Sequence, residues 1–118
     1  MLNLNSLMIG TMQPKVMAAF YELVIGKEPD MEEEGWYGWQ VGASFFGLGH
    51  HSKMEGKSKE AGRVMYNFET PDVKGEFARI KEIPDAVVVK EPYEMGKLWI
   101  ATFADPDGNY FQLMSPWS

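Results

Sequence analysis

The chain has 118 residues, of which 45% are hydrophobic, so it is long enough for one domain with its own core. It contains no cysteine, and no apolar run approaches the roughly 18 residues needed to cross a bilayer. Its net charge of −6 disfavours nucleic acid and weakly favours a cationic ligand. We therefore expect a cytoplasmic protein with no nucleic-acid and no membrane partner.

The first half of the chain has the pattern of a strand, a helix and three further strands. Pro14 suits the first turn of the helix, and apolar residues then recur at helical spacing until Gly26 ends it. Gly42 marks a turn between the last two strands. The apolar positions of the helix are Val16, Met17, Phe20, Leu23 and Val24. The predicted strands are residues 2–10, 28–34, 36–41 and 43–48.

A polar segment, residues 51–62, predicts a linker, after which the pattern starts again. Thr70, Pro71 and Asp72 predict a helix start, with the Thr70 hydroxyl as the cap. Pro84 prevents the helix from continuing. The apolar positions of this second helix are Val73, Phe77 and Ile80. The predicted strands are residues 63–69, 86–90, 98–103 and 110–114.

The two halves superpose without a gap. A shift of 57 residues places Pro14 on Pro71 and Phe20 on Phe77. The sequence therefore predicts an α+β fold in which two βαβββ modules form a curved mixed sheet around a cleft. Within a single domain (1–118), module one covers about residues 1–50 and module two about residues 63–118, with the helices on the outer side.

The segment Asp105-Pro106-Asp107-Gly108-Asn109 predicts a tight turn between the last two strands. Pro106 fixes φ, Gly108 supplies a positive φ, and the Asp and Asn side chains cap local backbone groups. Gln112 follows in the outgoing strand.

The chain resembles the vicinal-oxygen-chelate superfamily, which includes glyoxalase I, extradiol dioxygenases and bleomycin-resistance proteins. The resemblance rests on three segments: Phe20-Tyr21 with Gly26, residues 68–73 (FETPDV), and the turn at residues 105–109. It implies a U-shaped cavity and a homodimer in which each cavity is completed at or near the interface.

Metal-dependent members of that superfamily carry a ligand in the first and last strands of each module, usually His, Gln or Glu. Here the resemblance assigns these four positions to Ser6 (or, by the internal repeat, Met8), Gly47, Met65 and Gln112. Such residues do not form a transition-metal site, so we expect no metal and no cofactor.

His50 and His51 are the two histidines of the chain. Neighbouring residues on a strand point to opposite faces, so the pair does not form one bidentate site. One of them could act as a general base or as a lone ligand, and the alternative is a solvated pair at the start of the linker.

Many aromatic residues fall on the predicted strands, and rings on the inner face of a curved sheet would bind flat or cationic molecules. Strand alternation places Tyr110, Gln112 and Met114 on the cavity side, and Phe111 and Leu113 under a helix. The predicted ligand-binding residues are Ser6, Met8, Trp36, Trp39, Phe45, Gly47, Met65, Asn67, Trp99, Tyr110, Gln112 and Met114.

These patterns favour a metal-free protein that sequesters a hydrophobic, aromatic or cationic organic molecule. A first alternative is a lyase, isomerase or dioxygenase of the same superfamily, with an atypical metal site that includes His50 or His51. A second alternative is an interaction module with a vestigial cleft.

Overall fold

The computed structural model describes residues 1–116, which form eight strands, two α-helices and a short 3₁₀ turn. The chain divides into two compact units, the first ending at Gly56 and the second beginning at Lys57. The predicted linker, residues 51–62, is therefore shared between the two units.

The first unit is a four-stranded sheet with one helix. Its sheet order is β1-β4-β3-β2, with β1 parallel to β4 and the other pairs antiparallel. Its elements are β1 (Ser6–Thr11), α1 (Pro14–Ile25), β2 (Met31–Glu33), β3 (Trp36–Val41) and β4 (Ser44–His50).

Helix α1 begins at Pro14 and ends where Gly26 adopts a left-handed conformation, with φ of 89°. The Gly26 N–H donates to the Glu22 carbonyl at 2.8 Å. The predicted apolar stripe was partly wrong, because Val16 and Leu23 are exposed. The buried face is rotated toward Met17, Ala18, Phe20, Tyr21 and Val24.

The second unit repeats this architecture. Its sheet order is β5-β8-β7-β6, with β5 parallel to β8, so both units have the predicted βαβββ order and the α+β prediction is confirmed. Its elements are the 3₁₀ turn (Ala61–Arg63), β5 (Tyr66–Glu69), α2 (Val73–Ile80), β6 (Val87–Met95), β7 (Leu98–Ala104) and β8 (Tyr110–Met114).

The start of α2 corrects the predicted cap. The N-cap residue is Asp72, whose Oδ1 accepts from the Gly75 N–H at 3.0 Å. The Thr70 hydroxyl instead accepts from the Asp72 N–H at 3.1 Å, which fixes the chain just before the helix. The predicted stripe of Val73, Phe77 and Ile80 is buried, as expected.

Several strand boundaries differ from the prediction; strand β2 is confined to Met31–Glu33, and β4 extends to His50. Strand β1 starts at Ser6. Strand β5 starts at Tyr66, because Arg63 belongs to the 3₁₀ turn and pairs with Glu60. Strand β6 is longer than predicted and lies at one end of its sheet. Its pairing with β7 shifts register twice, between Val88 and Lys90 and between Lys90 and Tyr93.

Candidate functional site

The sheet of the first unit has one face packed on α1. Trp39, Phe46 and Leu48 are buried on this side, and the Tyr21 and Phe46 ring centres are 4.8 Å apart. The opposite face carries the alternate residues of each strand. We call it the glycine face.

Pairing between the strands arranges the glycine face in three rows, because residues directly opposite each other point to the same side of a sheet. The middle row has glycine at both of its central positions, and one of the flanking rows has glycine on β4 and on β1. The rows are Gln40, Phe45 and Ser6; then Met31, Gly38, Gly47 and Met8; then Glu33, Trp36, Gly49 and Gly10.

Aromatic rings pack directly over two of these glycines. A Cβ atom on Gly49 would lie 2.2 Å from the Trp36 ring, and a Cβ on Gly38 would lie 2.2 Å from the Phe45 ring. Only glycine lets the rings approach the backbone this closely. Trp36 nevertheless keeps 40% of its surface exposed, so its outer side is available for contact.

Gly47 lies directly opposite Gly38 on the neighbouring strand and two residues before Gly49 on its own strand. At this position a Cβ would have its nearest neighbour, the Met8 sulfur, at 3.7 Å, which is an ordinary contact. The glycine face is therefore a platform of two rings and a thioether around a position without a side chain.

The two histidines lie in different surroundings. His50 ends β4 opposite Thr11 and is exposed. His51 follows the strand and packs on the glycine face, with its Cβ 3.1 Å from the Cβ position of Gly10. The Lys53 N–H donates to His51 Nδ1 at 3.2 Å. A role of either histidine as a base stays a prediction.

Trp39 and Trp99 correct the predicted set of ligand-binding rings. Trp39 is fully buried on the α1 side, where its Nε1 donates to the Lys27 carbonyl at 3.0 Å. The ammonium group of Lys74, on α2, lies 4.1 Å from the centre of the Trp99 ring, so this ring faces the helix of the second unit. Neither ring belongs to an open sheet face.

In the second unit, the sheet face away from α2 is filled by side chains. Gln112 donates from Nε2 to the buried Thr102 hydroxyl at 3.0 Å. Leu98, Ile100 and Met114 form a buried cluster, and Tyr93 packs against it.

Strand alternation in β8 agrees with the prediction. Tyr110, Gln112 and Met114 pair with residues of one face of β7, while Phe111 and Leu113 are buried on the other. Asn67 lies opposite Gln112. Met65, which the resemblance assigned to the same set of metal positions as Gln112, lies before the strand and is 42% exposed.

The turn before β8 is organised by one buried carboxylate. Asp105 accepts at Oδ1 from the N–H groups of Asp107 and Asn109, both at 2.9 Å, and Tyr66 donates to Oδ2 at 3.2 Å. These bonds hold the backbone of the turn, so Asp105 has a structural role.

The residues at the predicted metal positions do not fit a divalent metal ion. Met8 pairs with Gly47, and Asn67 pairs with Gln112, whose amide nitrogen is bonded to Thr102. Zinc, manganese and iron sites in proteins need imidazoles or carboxylates. Within residues 1–116, no three His, Asp or Glu side chains are grouped so that they could hold a metal.

Of the four glycines on this face, only Gly47 was among the predicted ligand-binding residues. A signal was present, because Gly47 lies in the predicted strand 43–48 and Gly49 follows it two residues later, and glycine in a strand often marks close approach of another group. Gly10 and Gly38 fall on the same face only once the strands are paired.

No family model matches the chain. No curated protein matches it either. Among the described residues, no helix is both long and apolar enough to cross a membrane.

Several solved structures are similar over nearly the whole chain. A glyoxalase/bleomycin resistance protein/dioxygenase family enzyme from Burkholderia phytofirmans is 22% identical with a TM-score of 0.78, covering 97% of this chain and 98% of its own. A glyoxalase/bleomycin resistance protein from Albidiferax ferrireducens is 20% identical with a TM-score of 0.75, covering 95% and 97%. A glyoxalase-related enzyme from Fulvimarina pelagi is 11% identical with a TM-score of 0.79, covering 98% and 89%.

These similarities confirm the fold that the resemblance to the vicinal-oxygen-chelate superfamily implied. The chain has the glyoxalase/bleomycin-resistance fold.

Proposed function

We propose that this protein, with its glyoxalase/bleomycin-resistance fold, is a cytoplasmic homodimer that binds a small organic molecule without a metal or cofactor. The ligand is hydrophobic, aromatic or cationic, and nucleic acid is not a partner. The observation that carries the proposal is the pair of rings, Trp36 and Phe45, which lie directly on glycine backbone.

The platform suits a flat ligand. The rings are held in place by the close approach at Gly38 and Gly49, so little side-chain freedom is lost when a ligand stacks on them. Stacking between aromatic groups contributes about 0.5–1.5 kcal/mol beyond the area that is buried.

The surrounding charge favours a cation. Glu33 lies directly opposite Trp36 on the neighbouring strand, and both are exposed. A ligand cation over the indole would gain cation–π attraction and lie close to this carboxylate. The net charge of −6 acts in the same direction.

The test is binding of a planar cationic dye such as acridine orange, followed by thermal shift and by tryptophan quenching. A ligand at a hundred times its Kd adds about 2.7 kcal/mol of stability. We expect Trp36→Leu to abolish most of the shift. Trp99→Leu is the matched control, because that ring faces α2. Equal losses in both variants, or no shift with cationic or neutral planar dyes, would contradict the proposal.

The enzymatic alternative, a lyase, isomerase or dioxygenase, draws support from the descriptions of the similar structures. It requires a metal site, and the donor groups at the expected positions do not supply one. Metal analysis of protein purified without chelator separates the two: a stoichiometric divalent ion would favour the enzyme.

The homodimer is proposed from the resemblance. Sedimentation equilibrium should give twice the 13.4 kDa mass of the chain. A monomer at all concentrations would remove the dimer from the proposal and leave the glycine face unaffected.

A further inference from the structure

We propose that the glycine face also holds a site for a soft monovalent cation, Cu⁺ or its redox-inert analogue Ag⁺. The ligands are the sulfurs of Met8 and Met54 and the Nδ1 atom of His51; His51 and Met54 lie over Gly10, and Met8 lies two residues before it on the same strand.

The backbone places these three side chains on the same face of the sheet. Met8 and Gly10 alternate along β1 and therefore share a face. His51 and Met54 both lie over Gly10, with the His51 ring carbon Cγ and the Met54 Cγ each 3.5 Å from its Cβ position. A side chain at residue 10 would displace them, so the glycine creates the space that they share.

A short turn keeps His51 and Met54 on the same side. The His51 N–H donates to the Thr11 carbonyl at 2.9 Å, which ties the turn to the end of β1. The Met54 N–H donates to the His51 carbonyl at 3.1 Å, which brings the two side chains close together.

The Met8 sulfur completes the group from the neighbouring row. It lies 3.7 Å from the Cβ position of Gly47, which is diagonal to Gly10 across the β1–β4 pair. Strand spacing and rise put these two positions about 8 Å apart. Methionine has three rotatable bonds, and Met8 and Met54 are 58% and 44% exposed, so both sulfurs can move to a shared ion.

The donor chemistry selects the ion. Thioethers are soft ligands that favour Cu⁺, whereas Zn²⁺, Mn²⁺ and Mg²⁺ favour imidazole and carboxylate groups. The Lys53 N–H donates to His51 Nδ1, so this nitrogen is the acceptor that faces the turn. The cation replaces this exposed bond of 3.2 Å, and water then satisfies the Lys53 N–H.

The experiment is competition for Cu⁺ between the full-length protein and bicinchoninate under anaerobic conditions with ascorbate, read from the absorbance of the chelator complex. The unmodified protein should withdraw Cu⁺ up to one equivalent per chain. Met8→Leu, Met54→Leu and His51→Phe should each weaken binding about tenfold or more, and the triple variant should not compete.

The control is Met95→Leu, because Met95 is an equally exposed thioether at 55% but lies in the second unit. Leucine replaces methionine at nearly the same volume, and unchanged melting temperatures would show that the variants fold. If the chelator keeps all the Cu⁺, or if the triple variant competes as well as Met95→Leu, the site does not exist. Met8 belongs to the platform as well, but Met54 and His51 do not, so the Met54→Leu and His51→Phe variants test the cation site separately from dye binding.

Discussion

The two units use the same order of strands and helix, but they treat the sheet face away from the helix differently. In the first unit, glycines at the centre of β3 and β4 leave room for rings that stay partly exposed. In the second unit, Ile100, Thr102 and Met114 fill the corresponding face and are buried. The size of the side chains that point away from the helix therefore decides whether this face is a platform or part of the core.

The two helices also differ in which of their apolar residues are buried. Val73 and Ile80 are buried at 4% and 1% exposure, whereas Val16 and Leu23, their counterparts in the repeat, are 44% and 51% exposed. Only the central contact is common to both units, since Phe20 and Phe77 are both buried. The repeat thus preserves one helix–sheet contact and leaves the flanking positions free to diverge.

Replacing Asp105 with alanine should have the largest effect. The change leaves the Asp107 and Asn109 N–H groups without their acceptor, and we expect a loss of about 3 kcal/mol in the free energy of unfolding. Urea denaturation measures it. In the first unit, Asp30→Ala removes an exposed carboxylate that accepts from one backbone N–H, and its effect should be clearly smaller. Equal losses would mean that burial of Asp105 adds nothing.

Replacing Thr102 with valine should cost about 1 kcal/mol, because it removes the hydrogen bond from Gln112 while keeping the shape of the side chain. A double-mutant cycle with Gln112→Met isolates the bond. Additive effects of the two changes on the free energy of unfolding would show that this hydrogen bond does not stabilise the second unit.

Gly47 and Gly49 should respond in opposite ways to alanine. At Gly47 a Cβ fits, so Gly47→Ala should raise stability by about 0.5 kcal/mol. At Gly49 a Cβ collides with the Trp36 ring, so Gly49→Ala should push the ring into solvent and shift its emission to the red. Difference spectra against Trp36→Phe isolate this ring. Unchanged Trp36 emission in Gly49→Ala would argue against the ring platform.

The smallest expected effect is the pH dependence of the stability that Asp30 contributes. The hydrogen bond from the Gln40 backbone and the neighbouring Lys27 ammonium lower the pKa of Asp30 below its usual 3.8. Asp30 therefore contributes stability that is complete above pH 3.8 and is lost as the pH falls through the lowered pKa.

Urea midpoints measured between about pH 5 and pH 2 test this contribution. The advantage of the unmodified chain over Asp30→Asn should shrink toward acid. Lys27→Met should retain most of the pH dependence, because the Gln40 bond is the main cause of the shift. An unchanged difference across the range would contradict the assignment.

Much of the fold could be predicted because local signals agree with it. Strands 36–41 and 110–114 were predicted to the residue, since turn residues bound them and alternation runs through them. The cap of α2 was misplaced by two residues because Thr70 and Asp72 both favour a cap, and only the backbone path decides between them.

The site was harder to predict because side-chain direction depends on strand pairing. Trp36 and Trp39 are three residues apart in one strand, so alternation already places them on opposite faces, and grouping them was an error of interpretation. The face of the sheet to which Trp99 points could be assigned only once the pairing of β7 with β8 was known. The turn at Gly42 pairs Val41 with Ser44 and so sets the register of the hairpin. Because of this register, Trp36 lies opposite Gly49.

Strand β6 has a consequence for the behaviour of the protein at high concentration. It lies at the end of its sheet and begins with Val87, Val88 and Val89, all exposed, a composition that invites another chain to add a strand. Its two register shifts and Pro92, which lacks an N–H, interrupt the row of donors that such an addition would need. The irregular strand therefore works as a built-in barrier to fibril-like stacking.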